Sequence, residues 1–218
     1  MIAPGDNGAM ARLLPLFPLQ LVALPGNPIP LHIFEERYRE MVGEAEASNS
    51  EFGIVLAKDG GIVNAGCTVV VESVLQRYPD GRFDVLTRGQ RRFRLLSVNE
   101  DRAYLRGEVE FFGDEDFRPA PPEFRTRALR ACLEIHEAAK EATSVPDADL
   151  ADPELSFRLA ASIQDLDFLD SILREQSETR RLAMIIATAP KYIERTQYVE
   201  KLRRVAPTNG KGHKPQGL

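Results

Sequence analysis

Leu13-Leu14-Pro15-Leu16-Phe17-Pro18-Leu19, then Ala23-Leu24-Pro25-Gly26-Asn27-Pro28-Ile29-Pro30-Leu31, then His32-Ile33-Phe34-Glu35-Glu36-Arg37-Tyr38-Arg39-Glu40-Met41: this stretch decides the fold. An apolar segment leads into a proline-stiffened loop over 25–31, and the loop feeds an amphipathic helix. Each proline holds φ near about −65° and pushes the preceding residue to extended geometry, so the loop is rigid without being helical. Phe34, Tyr38, Met41, Val42 and Ala45 then fall at i, i+4, i+7, i+8 and i+11, which predicts one buried face of a helix over 34–48.

Working outward, the spacing predicts strands at 13–20 and 52–57, the second stopped by Asp59-Gly60-Gly61. A strand over 67–78 turns at Pro79-Asp80-Gly81, where proline presets φ and glycine accepts a positive one. The return arm covers 82–88, Gly89 breaks it, and strands at 90–98 and 103–111 follow. Short sequential strands with tight turns favour an antiparallel sheet curled into a barrel. Acid and proline at 113–122 end the β region and mark a domain boundary. Beyond it the pattern is helical. Phe124, Ala128, Ala131, Cys132, Ile135, Ala138 and Ala139 form one apolar stripe in a helix over 122–142. A loop at 145–147 follows, then helices started by Asp152-Pro153, Asp165 and Ser177, the last to be broken or kinked by Pro190. The fold class read here is α+β. Residues 13–118 form the barrel and 119–205 a helical bundle, with disordered ends at 1–12 and 206–218.

The composition excludes several classes. The chain has 218 residues, 43% hydrophobic and 28% charged, ordinary for a soluble globular protein. No apolar run reaches the ~20 residues that span a bilayer, and the first residues lack the pattern of a secretory signal. Two distant cysteines, Cys67 and Cys132, predict neither a disulfide framework nor a zinc site, and fit a cytoplasmic setting. The net charge is −5, all of it from residues 1–118, which carry 13 Lys plus Arg against 18 Asp plus Glu. That balance disfavours nucleic acid.

Leu14-Pro15-Leu16-Phe17-Pro18-Leu19, Pro25, Pro28, Pro30-Leu31 and Ile33-Phe34-Glu35-Glu36-Arg37-Tyr38 resemble the start of the LON amino-terminal domain family, the substrate-engaging front end of Lon-type ATP-dependent proteases. Arg88-Gly89-Gln90-Arg91-Arg92-Phe93-Arg94 resembles its second signature, a glycine followed by an Arg-Phe pair. The resemblance implies a LON/PUA-like pseudo-barrel with one or two helices and a C-terminal helical bundle. Phe34, Tyr38, Gly89, Arg92 and Phe93 are its signature positions, read as structural.

The family's chemistry is not carried over. The one Gly-Lys pair, Gly210-Lys211, runs into Gly212 and lacks the phosphate-cradling G-x-x-x-x-G-K-[ST] pattern. No Pro-Ser-Ala-Gly serine context and no G-x-S-x-G elbow occur. His136-Glu137-Ala138-Ala139-Lys140 misses the second histidine of H-E-x-x-H and reads as a surface histidine. The resemblance therefore implies a standalone, non-catalytic copy that binds unfolded or damaged polypeptide, or a protein partner, in protein quality control. It would need no cofactor and no metal, engage no membrane, and be a monomer or weak homodimer. Pro25, Pro28, Ile29, Leu31, Glu35 and Arg39 are the candidate contact residues, since a rigid apolar loop loses little entropy on binding. The alternative is RNA binding through the PUA-like barrel, with Arg88–Arg94 as the basic stripe.

Overall fold

The computed structural model describes residues 13–116, 119–139 and 149–205. The predicted disordered ends, the loop at 145–147 and the end of the 122–142 helix lie outside the described residues. Two compact units emerge, one of residues 1–117 with 164–177, the other of 118–163 with 178–218.

In the first unit, strands β1 (Leu14–Leu19), β2 (Pro28–Ile33), β3 (Phe52–Lys58), β4 (Gly61–Arg77), β5 (Phe83–Asn99) and β6 (Arg106–Phe112) form one mixed sheet in the order β2-β5-β4-β3-β1-β6. β6 pairs back onto β5, so five strands close into a ring and β2 hangs on β5 as its edge. The antiparallel expectation needs one correction: β1 runs parallel to β3, with Leu16 opposite Gly53 and Leu19 opposite Leu56. The intervening β2 and helix α1 (Glu36–Ser48) supply the long crossover that a parallel pair requires.

β1 is apolar on both faces because both faces are covered. Leu16 packs inside the barrel with Val55 and Phe93. Phe17 faces the other way and stacks on Tyr38 of α1, ring centroids 4.1 Å apart. Tyr38, Met41, Val42 and Ala45 form the buried stripe of α1. Phe34 does not belong to it: the helix begins two residues later, and the Phe34 side chain is 60% exposed.

Two tight hairpins follow their chemistry. Asp59 (φ 53°) and Gly60 (φ 78°) join β3 to β4, and Gly81 (φ 87°) closes the turn into β5. Gly89 does not interrupt β5, which runs unbroken over 17 residues. A Cβ there would sit 2.1 Å from the Leu24 carbonyl oxygen, so Gly89 serves close passage of the segment before β2. That segment is held by Gly26 N–H to the Gly89 carbonyl and Gly89 N–H to the Asn27 carbonyl, each 3.0 Å. The predicted proline loop is, from Pro28 on, strand β2. Its parity puts the missing N–H groups of Pro28 and Pro30 on the outer edge, where no ladder bond is lost.

Helix α4 (Leu166–Arg174) belongs to this first unit, not with the other late helices. Asp165 caps it, accepting from the Phe168 N–H at 3.0 Å, and Leu169, Ile172 and Leu173 are buried. The second unit holds α2 (Pro122–Ala139), α3 (Leu155–Ala160) and α5 (Glu178–Val205). Ala128, Ala131, Cys132 and Ile135 of α2 are buried, as are Leu155 and Leu159 of α3 and Leu182, Ile185 and Ala189 of α5. α5 continues through Pro190 rather than ending there. The expected surface histidine is instead buried: His136 is 6% exposed and donates its Nδ1 proton to the Cys132 carbonyl at 2.8 Å. Arg181, fully buried, is neutralised by Glu178 at 2.9 Å and lies over the Phe157 ring.

Candidate functional site

The ends of β1 and β2, the first turn of α1 and the 100–105 connection before β6 enclose a cavity of about 610 Å³. Phe17, Pro18 and Leu19 form its floor, His32, Phe34, Glu35, Arg37 and Tyr38 one wall, and Glu100 with Arg102, Ala103, Tyr104 and Leu105 the other. The stacked Phe17–Tyr38 pair is buried and fixes the floor. Burial raises the Tyr38 phenol pKa, and the nearby Arg37 charge only partly offsets this, so the hydroxyl is neutral at physiological pH.

The charged side chains of the cavity are largely engaged within the chain. Glu35 holds Arg37 through Nε at 3.0 Å and Nη2 at 2.8 Å, with the guanidinium 4.6 Å from the Tyr38 ring centroid. Opposite, Arg102 donates to the Tyr104 hydroxyl at 3.3 Å, and that hydroxyl donates to Glu44 at 3.1 Å. Phe34 is the exposed apolar group, its ring beside that of His32 with centroids 5.9 Å apart. His32 Nδ1 lies 2.5 Å from Asp84, whose other oxygen accepts from Tyr78 at 2.7 Å. These two bonds, His32 first, hold the Asp84 carboxyl below its ordinary pKa. The histidine thus ties β2 to β5. Among the described residues no group of three His, Cys, Asp or Glu is placed to hold a metal.

The six sequence-selected contact residues do not converge. Pro25 and Leu31 are buried, Pro28 is exposed and Ile29 half-buried. Arg39 turns to the hairpin tip, donating to the Asp80 carbonyl at 3.1 Å. Glu35 alone of the six lines the cavity, together with Phe34 and Tyr38 of the signature positions. His32, Arg37 and the whole 100–105 wall were not selected, since that wall has no periodicity and lies far away in sequence.

The remaining signature residues are structural in placement. The Phe93 ring is fully buried against Gly53 and Gly66, where an added Cβ would lie 2.8 and 2.5 Å from its Cζ. Arg92, 5% exposed, reaches the Leu173 and Glu175 carbonyls at 3.1 and 2.7 Å and Asp114 at 2.5 Å. It closes the C-terminal end of α4, where backbone carbonyls favour a cation. Arg88 pairs with Glu72, Arg91 with Glu51 and Arg94 with Glu110. The basic stripe is therefore internally neutralised.

A family model described as the ATP-dependent protease La (LON) substrate-binding domain matches residues 13–197. The structure of a Lon N-terminal domain protein from Xanthomonas campestris is 31% identical, with a TM-score of 0.62, covering 80% of this chain and 97% of that one. The N-terminal domain of the Mycobacterium avium complex Lon protease shares the fold at 18% identity, TM-score 0.60, covering 82% of this chain and 98% of that one. Among characterised proteins, the Lon protease of Parabacteroides distasonis is 28% identical over 125 residues, 53% of this chain and 15% of that protein. Lon protease 1 of Hydrogenovibrio crunogenus is 28% identical over 97 residues, 41% of this chain and 12% of that protein. The chain thus spans a small fraction of the full-length proteases it matches. Among the described residues no helix is long and apolar enough to cross a membrane.

Proposed function

Since the chain belongs to the ATP-dependent protease La (LON) substrate-binding domain family, we propose that it is a non-catalytic binder of unfolded or damaged polypeptide, acting as an adaptor in cytoplasmic protein quality control. The observation that carries the reading is the cavity of about 610 Å³, with a rigid aromatic floor and Phe34 left 60% exposed at its wall. Burying one aromatic side chain removes about 150–250 Å² from water, and a fixed wall loses little entropy in doing so. Unfolded chains present such apolar groups, and folded ones hide them.

RNA binding is the weaker reading. Phosphate recognition needs unpaired cations, and Arg88, Arg91, Arg92 and Arg94 each have an acidic partner. Fluorescence anisotropy with labelled, reduced and unfolded casein tests the choice. Micromolar-range or weaker binding, little changed between low and moderate salt, supports polypeptide recognition. Absence of casein binding, with RNA bound along a steep salt slope, overturns it in favour of the barrel as an RNA module.

A further inference from the structure

The cavity does not stand alone. A second, of about 560 Å³, shares Pro18, Glu100 and Leu105 with it. A third, of about 1100 Å³, shares Arg102 and Tyr104. The three therefore adjoin along the 100–105 connection. Each contains one large apolar side chain left open to solvent: Phe34 at 60%, Val98 at 44% and Phe111 at 43% exposure. A single apolar residue at a surface is ordinary, whereas one in each of three adjoining hollows makes a track.

The charges along the track are unequal in what they leave open. Its cations are engaged within the chain: Arg37 by Glu35, Arg91 by Glu51, Arg106 by Asp101 and Lys58 by Asp167. Glu100, in the wall common to the first two cavities, forms no ion pair with a described cation, and neither does Asp59 in the second. An extended chain lying here meets apolar surface, then uncompensated negative charge, then apolar surface again. Its matching partner carries a Lys or Arg among apolar residues, and an acidic segment is repelled without finding a free cation.

Resting on the polypeptide-binding reading above, we infer that one extended client segment occupies the three cavities together, and that Glu100 selects clients with a basic residue flanked by apolar ones. The track binds side chains along its length, and the acid sets which sequence is preferred.

The test uses three short, unstructured, labelled Gly/Ser peptides. One carries Phe, Lys and Val, the second replaces Lys by Glu, and the third replaces Phe and Val by Ser. With the wild-type chain at low salt, the Lys peptide is expected to bind about five-fold more tightly than the Glu peptide, the upper range for one exposed charge pair. The Ser peptide should bind weakest. Glu100→Lys should invert the order of the first two, and Glu100→Gln should erase it. Val98→Ser should weaken the Lys peptide several-fold with an unchanged circular dichroism spectrum. Unfolded casein serves as the control that separates the two claims. Casein bound, with no charge preference or with one that Glu100→Lys leaves untouched, overturns the track alone. Casein unbound overturns the polypeptide reading and the track with it.

Discussion

Replacing Gly89 by alanine tests how the segment before β2 is held. The added Cβ would lie 2.1 Å from the Leu24 carbonyl oxygen, 2.8 Å from its carbon and 3.3 Å from the Pro25 Cα. All three are backbone-bound atoms, so no side chain can swing aside. Relief requires the 23–27 segment to move outward by more than an ångström. That movement breaks the two 3.0 Å bonds linking Gly26 and Asn27 to Gly89, worth about 1 kcal/mol each. It also loosens Leu24, 2% exposed, whose full burial is worth about 1.5–3 kcal/mol. A loss of about 2–4 kcal/mol is expected, against a gain of about 1 kcal/mol from alanine's lower backbone entropy and better propensity. The internal control is Gly43→Ala on α1, where a Cβ meets nothing within 4 Å and the helix should gain up to about 1 kcal/mol. Urea unfolding followed by tyrosine fluorescence and circular dichroism measures both. A Gly89→Ala midpoint indistinguishable from wild type would refute the close-passage argument, since nothing else in the geometry relieves that contact.

Phe34→Ser should weaken casein binding about three- to ten-fold while changing stability by under about 0.5 kcal/mol, because the side chain stands in solvent; a large stability loss with unchanged binding would place Phe34 in the core instead. Arg92→Met should cost about 2–3 kcal/mol by stranding two carbonyls and Asp114, and Arg92→Lys should not restore it, because one ammonium cannot match the planar fork; full rescue by lysine, read by thermal melting, would show the site needs only a charge. Asp84 should titrate below its ordinary 3.8, its bonds to His32 and Tyr78 favouring the carboxylate. The contact's contribution to stability is then fully present above that ordinary value and is lost as the pH falls through the lowered one; a carboxyl NMR midpoint at or above the ordinary value would show the pair does not form.

Much of this was legible in the sequence, and particular residues show why. Asp59-Gly60 and Pro79-Asp80-Gly81 carry turn chemistry that acts locally, and both turns stand where the pattern puts them. The Asp165 cap and the α2 stripe through Ala128, Cys132 and Ile135 are local too. The readings that failed depend on distant partners. Pro28 and Pro30 argue against a strand until the neighbour is known to lie on one side only. Gly89 looks like a strand breaker until Leu24 is seen crossing it. Arg92 and Phe93 are consecutive and both buried, since β5 has the barrel interior on one side and α4 on the other. Phe34 fits the helical stripe by spacing, but the helix starts at Glu36 and leaves it outside. The site was the least legible part, because its second wall at 100–105 is an irregular connection whose place only the closed ring determines.

The central claim is that unfolded polypeptide binds in the aromatic-floored cavity. Hydrogen–deuterium exchange of the chain, with and without saturating reduced, unfolded casein, addresses it residue by residue. The account predicts slowed exchange at 34–38 and 100–105, with the rest of the barrel and the second unit unchanged. Protection confined to the 25–31 segment and the outer edge of β2, or none anywhere under conditions where casein is bound, would contradict it.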